Sequence, residues 1–104
     1  MRGHGEYKVP GGKLVVADVV VACDQLTDVA LSGDFFLEPD TALAVINAAL
    51  RDRPVDLAQE AMERIIHNCL PPDVRMYGVD AAGFAVAVRR AIEGRSGHND
   101  GVRT

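Results

Sequence analysis

From Lys13, which opens the run, to Cys23 the odd positions Val15, Ala17, Val19 and Val21 are all apolar, while the even set is interrupted by the charged Asp18. Successive side chains on a strand point to opposite faces, so this period of two defines one face for a core and one for solvent. Valine dominates the run, and β-branched side chains suit a pleated surface. Asp24-Gln25 offers a tight turn, and Leu26 to Ser32 supplies a second arm. There Val29 and Leu31 share a face, with Asp28 and Ser32 on the other. The two arms predict an antiparallel hairpin. Gly33 breaks or bulges the second arm before Phe35, Phe36 and Leu37. Upstream, Tyr7 to Val9 predicts a short strand stopped by Pro10, and Gly11-Gly12 permits a tight turn.

Beyond Asp40 the period changes to that of a helix. Asp40 is placed to cap a helix over Thr41 to Leu50, with Leu43, Ile46 and Leu50 on one side and Ala42, Val45 and Ala49 beside them. Asp56 and Gln59 have capping-box spacing, and Ala58, Ala61, Met62, Ile65, Ile66 and Cys69 form an apolar stripe ended by Pro71-Pro72. Asp80 is placed to cap a third helix, in which Val79 and Phe84 have the spacing of a hydrophobic staple. Phe84, Val88, Ala91 and Ile92 make its buried stripe, and Gly94 its stop. Strands first and helices after imply an α+β domain: a small antiparallel β-sheet of about three strands, covered on one face by about three helices. Residues 1–6, Gly-rich and polar, read as a flexible N-terminus. Residues 7–94 form the domain, and residues 95–104 read as a disordered C-terminal tail.

The chain has 104 residues, a net charge of −4 and 48% hydrophobic residues. That length fits one domain. The acidic balance argues against a nucleic-acid partner, because phosphate binding needs clustered Lys and Arg. No apolar run is longer than that from Val19 to Cys23, which is far too short to span a bilayer, and the polar start is no signal peptide. Cys23 and Cys69 have no metal-ligand spacing and read as reduced thiols of a cytoplasmic protein.

Few residues suggest chemistry. Gly11-Gly12-Lys13 would let backbone N–H groups approach an anion, but a P-loop needs a hydroxyl after the lysine and a helix beyond it; here Leu14 and a strand follow. The element reads either as a plain hairpin turn or as a turn presenting Lys13 to a partner or shared ligand. Gly33-Asp34-Phe35-Phe36 is the second candidate. Asp34 would either bond local backbone N–H groups or meet a partner. Of the two phenylalanines one points inward and the other needs a separate cover. His67 and Arg89-Arg90 read as solvated helix surface, and His4 as part of the flexible start. Asp56, Glu60, Glu63 and Asp73 fit capping and solubility. No catalytic residue and no metal site is assigned.

Tyr7-Lys-Val-Pro-Gly-Gly-Lys-Leu-Val, a valine-rich hairpin, Leu31-Ser-Gly-Asp-Phe-Phe-Leu-Glu-Pro and a helix ending at Leu50 together resemble the C-terminal accessory domain of lipoate–protein ligases. The resemblance runs from Tyr7 to Gly94, and the stretch from Pro71 to Gly78 matches no motif in it. The closeness of Met1 to the first motif suggests the form in which this domain is a separate small subunit. The resemblance implies a non-catalytic chain that binds no cofactor by itself and works with a catalytic large subunit. The complex would use lipoate, ATP and Mg to form lipoyl-AMP, and would pass the lipoyl group to acceptor domains. It also implies that Gly11, Gly12, Lys13, Asp34, Phe35 and Phe36 are the partner- or ligand-facing residues. Two other classes stand beside it: a stand-alone protein-interaction module, and a scaffold like those of iron–sulfur assembly, which would need an exposed, reactive cysteine.

Overall fold

A computed structural model describes residues 1–94. The element order is β1 (Arg2–Lys8), β2 (Leu14–Ala22), β3 (Gln25–Gly33), β4 (Phe36–Glu38), α1 (Ala42–Leu50), α2 (Gln59–Cys69), β5 (Arg75–Tyr77) and α3 (Ala81–Glu93). The first three strands form an antiparallel sheet in the order β1-β2-β3, and β4 pairs antiparallel with β5 in a second, two-stranded sheet. The α+β architecture expected from the change of period is the one observed.

β2 buries Val15, Ala17, Val19 and Val21, the odd set read from the sequence. The hairpin turn lies one residue earlier than expected, at Cys23 and Asp24, both with positive φ (53° and 60°). Two such residues in succession match the right-handed twist of the paired strands. In β3 the buried residues are Leu26, Val29 and Leu31, and strict alternation cannot place 26 and 29 on one face. The register shift between Val20 and Val21 resolves this, leaving Thr27 as an extra residue whose hydroxyl donates to Val20 O at 3.1 Å.

The N-terminus differs from the flexible segment expected. Arg2 to Tyr7 pairs residue by residue with Val20 to Val15. Gly3 and Gly5 take the inward positions of β1. At Gly5 an added Cβ would fall 2.7 Å from Ala87 O and from the carbonyl carbon of Arg90, and closer still to Ala91 N. The missing side chain therefore lets α3 lie directly on the strand. The tail assigned to residues 95–104 lies outside the described residues.

α3 is capped as expected: Asp80 accepts from Gly83 N at 2.7 Å. Its inner face buries Phe84, Ala87, Val88 and Ala91 completely. The other two expected caps are not made. α1 begins after Thr41 and α2 after Ala58, neither with a side-chain cap, so Asp40 and Asp56 do not play that part. The α1 stripe is Ala42, Ile46 and Leu50 rather than one through Leu43, and Val45 is exposed. The α2 stripe narrows to Met62 and Ile66, with Ala61, Ile65 and Cys69 half-buried and Ala58 exposed. Arg89 is not a free surface group either. Its guanidinium donates to Val55 O (2.6 Å) and Leu57 O (3.3 Å), tying the connection before α2 to α3. Arg90 donates to Glu6 O at 2.9 Å and lies 4.9 Å over the Tyr7 ring.

Candidate functional site: a rim where two loops meet

The Gly-Gly-Lys loop is a compact turn between β1 and β2. Gly12 N donates to Val9 O (2.8 Å), Val9 N to Lys13 O (3.1 Å), and the Lys8 ammonium to Gly12 O (2.6 Å). Gly11 sits at φ +72° with open space around it, which a glycine adopts without strain. Lys13 is exposed, and its backbone N–H donates to Gly78 O at 2.8 Å.

The Gly-Asp-Phe-Phe element starts beside the same loop. Asp34 N donates to Leu14 O at 3.3 Å, and Gly33, at φ +147°, passes so close to Leu14 O that a Cβ would collide with it. The Asp34 carboxylate is exposed and makes no bond to local backbone N–H groups among the described residues. Phe35 turns into the core, where it meets Phe84 edge-on with ring centroids 5.0 Å apart. Phe35 is thereby removed from the surface candidates. Phe36 points outward, 56% exposed, and stacks on Tyr77 at 4.5 Å and 16°. The Tyr77 hydroxyl donates to Glu38 Oε1 at 2.9 Å, which fixes the ring under Phe36.

A ring of backbone contacts joins the two motifs. Lys13 and Leu14 lead to Gly33 and Asp34; the strand pairing Phe36 to Tyr77 leads to Gly78; Gly78 O returns to Lys13 N. The segment at 75–78, which carried no recognisable motif, is the piece that closes it. Gly78 sits at φ +83°, and a Cβ there would lie 2.5 Å from Lys13 Cγ, so the lysine stem rests directly on it. Tyr77, Gly78 and Glu38 were missed in the sequence because a three-residue strand is too short to show a period. The rim thus presents the Lys13 ammonium, the Asp34 carboxylate and a stacked aromatic pair. It can dock against an apolar surface edged with charge.

The cysteines are free, Cys23 exposed in the hairpin turn and Cys69 half-buried on α2. Burial pushes the Cys69 thiol up, opposed by a weaker backbone effect, so it is a poor thiolate. Among the described residues no group of three His, Cys, Asp or Glu side chains is arranged to hold a metal ion. No helix among them is long and apolar enough to cross a membrane.

The fold is similar to that of a chain in a solved archaeal lipoylation system, a bi-partite lipoate protein ligase and its E2 lipoyl domain from Thermoplasma acidophilum. The two chains share 22% sequence identity over 86% of this chain and 93% of the other, with a TM-score of 0.64. The likeness covers nearly the whole of both chains and establishes a shared fold. No protein-family model and no curated protein sequence matches the chain.

Proposed function

We propose that this chain is the accessory subunit of a two-part lipoate–protein ligase. It works in the cytoplasm with a separate catalytic large subunit. That subunit uses lipoate, ATP and Mg to make lipoyl-AMP and then transfers the lipoyl group to a lysine of an acceptor domain. The observation that carries this reading is the rim. The two sequence elements on which the family resemblance rests, separated by a whole hairpin, are joined there through Gly78. The fold shared with a chain of a bi-partite ligase system adds support.

In this reading the rim faces the large subunit. Phe36 and Tyr77 fill an apolar contact, and Lys13 meets an acidic group of the partner or the phosphate side of the adenylate. The physical gain is the exclusion of water from an easily hydrolysed acyl-adenylate. The cover must also move aside for the acceptor, as lids do.

The test combines the chain with candidate large subunits and measures adenylate formation from lipoate and ATP. Formation that requires both polypeptides is expected. Lys13→Ala and Phe36→Ala should fold normally, as surface changes usually do. Lys13→Ala should lower adenylation by about tenfold, the scale of one lost charge-assisted bond. Transfer from pre-made lipoyl-AMP should suffer less. Equal rates with and without this chain would overturn the reading. So would mass-spectrometric evidence that Lys8 or Lys13 itself becomes acylated, which would make the chain an acceptor.

A further inference from the structure

The solvent face of the sheet carries a feature unrelated to the rim. His4 of β1 lies opposite Asp18 of β2 in the strand register, and Glu6 follows two residues along the same face. His4 Nδ1 is 2.7 Å from Asp18 Oδ1, and His4 Nε2 is 2.8 Å from Glu6 Oε2. An ionised carboxylate accepts hydrogen bonds and donates none. Both carboxyl groups are more than half exposed, so water solvates them as carboxylates. Both ring nitrogens must then carry hydrogen for both contacts to be hydrogen bonds, and an imidazole with two N–H groups is a cation.

We propose that His4 is an imidazolium clamp, bridging carboxylates on two strands so that the grip of edge strand β1 on β2 depends on pH. Among the described residues β1 has no strand on its outer side, because the sheet order is β1-β2-β3. Its inner face rests on α3 through Gly5, and the clamp holds it from the outer face. Loss of the proton leaves one N–H, so one carboxylate loses its donor and Asp18 and Glu6 are left less neutralised.

The charged groups around His4 come from several elements. β1 supplies Arg2 and Glu6 on the same face, β2 supplies Asp18, and Asp28 of β3 lies one row away, across from Val20. From α3, Arg90 reaches the Glu6 carbonyl, while Glu93 pairs with Arg89 at 3.4 Å. The hydrogen bond to Asp18 is the largest influence on the ring and that to Glu6 the next; together they raise the His4 pKa above its ordinary 6.5. A raised folded value means the stabilisation is complete below the unfolded pKa and is lost as pH rises through the folded one.

The test is an NMR titration of the His4 ring nitrogens in the whole chain, beside pH-dependent urea unfolding of the wild type and His4→Gln. The ring should titrate above 6.5, with both ring nitrogens protonated below that point. Asp18→Asn with Glu6→Gln should bring the titration down. The stability advantage of the wild type over His4→Gln should be fully present below the ordinary histidine pKa and should shrink as pH rises above it. A titration at or below 6.5, or one unmoved by the double carboxylate variant, would overturn the clamp. A wild-type advantage that does not change with pH would do the same.

Discussion

Replacing Gly5 with alanine adds one methyl group where two backbones touch. That Cβ would lie 2.7 Å from Ala87 O and from the Arg90 carbonyl carbon, with Ala91 N nearer still, whereas ordinary contact begins at 3.4 Å. None of the obstructing atoms belongs to a flexible side chain, so α3 or β1 must move by roughly 1 Å. A gap of 0.5–1 Å forfeits about a quarter to a half of each dispersion contact along the separated surface. The residues that lose contact include Phe84, Val88 and Ala91, all fully buried. Overpacking costs typically about 1–3 kcal/mol, and a rigid helix backbone puts this site at the upper end. Alanine also restricts the unfolded chain, which offsets about 0.4–1 kcal/mol. The net loss is about 2 kcal/mol, and a domain of this size melts about 4–8 °C lower per kcal/mol, so a fall of roughly 10 °C is expected. Thermal unfolding followed by circular dichroism measures it. Gly11→Ala is the control, since a Cβ there meets nothing within 4 Å and the cost is that of the +72° φ, about 1 kcal/mol. A fall below about 3 °C for Gly5→Ala would refute the close packing of β1 under α3 and restore the flexible N-terminus.

Three further outcomes are expected. Asp80→Ala should cost about 1 kcal/mol in urea unfolding through the lost bond to Gly83 N, while Asp56→Ala should cost less than about 0.5 kcal/mol because it caps nothing. Arg89→Ala should cost about 1.5–3 kcal/mol, since the guanidinium bonds two carbonyls that hold the start of α2; Arg89→Lys should recover part of that loss in the same assay. Gly78→Ala should cost about 1–2 kcal/mol from the positive φ and displace the Lys13 stem, seen as shifted Lys13 and Tyr77 side-chain resonances.

The parts of the fold legible in the sequence are those with a repeat long enough to read. Nine residues of β2 display their period, and α3 displays both its stripe and its cap. β1 was hidden by the feature that makes it work. Its inward positions are Gly3 and Gly5, and glycine reads as loop when composition is the guide. The bulge at Thr27 explains why Leu26 did not fit the β3 alternation. Asp40 and Asp56 have the residue type of a cap without the position, because the N-caps of these helices are Thr41 and Ala58. The candidate site was legible in its pieces. Gly-Gly-Lys and Gly-Asp-Phe-Phe stood out, as did the need for one phenylalanine to find outside cover. Their meeting place was not legible, since it depends on a pairing between residues 36 and 77 and on one hydrogen bond from Lys13 to Gly78.

The way the rim is built decides how experiments on it should be read. Backbone groups hold its shape: Asp34 N to Leu14 O, Lys13 N to Gly78 O, and the short pairing of β4 with β5. The Lys13 ammonium and the Asp34 carboxylate take no part in those bonds, and the Phe36 ring leans on Tyr77 with more than half of its surface outside. Shape and contact are therefore carried by different atoms. Substitutions of Lys13, Asp34 and Phe36 change what the rim offers a partner and leave the ring closed. Gly12 and Gly78 behave differently, because a Cβ at Gly12 would lie 2.6 Å from Gly78 O, and one at Gly78 would press on Lys13. Loss of activity in a glycine variant then reports on shape, and the same loss in Lys13→Ala at unchanged melting temperature reports on contact. Asp34→Asn keeps the size of the side chain and removes its charge. A change in partner affinity with that variant, set against none in Lys13→Ala, would move the polar contact from the Gly-Gly-Lys loop to its neighbour without altering the geometry that brings them together.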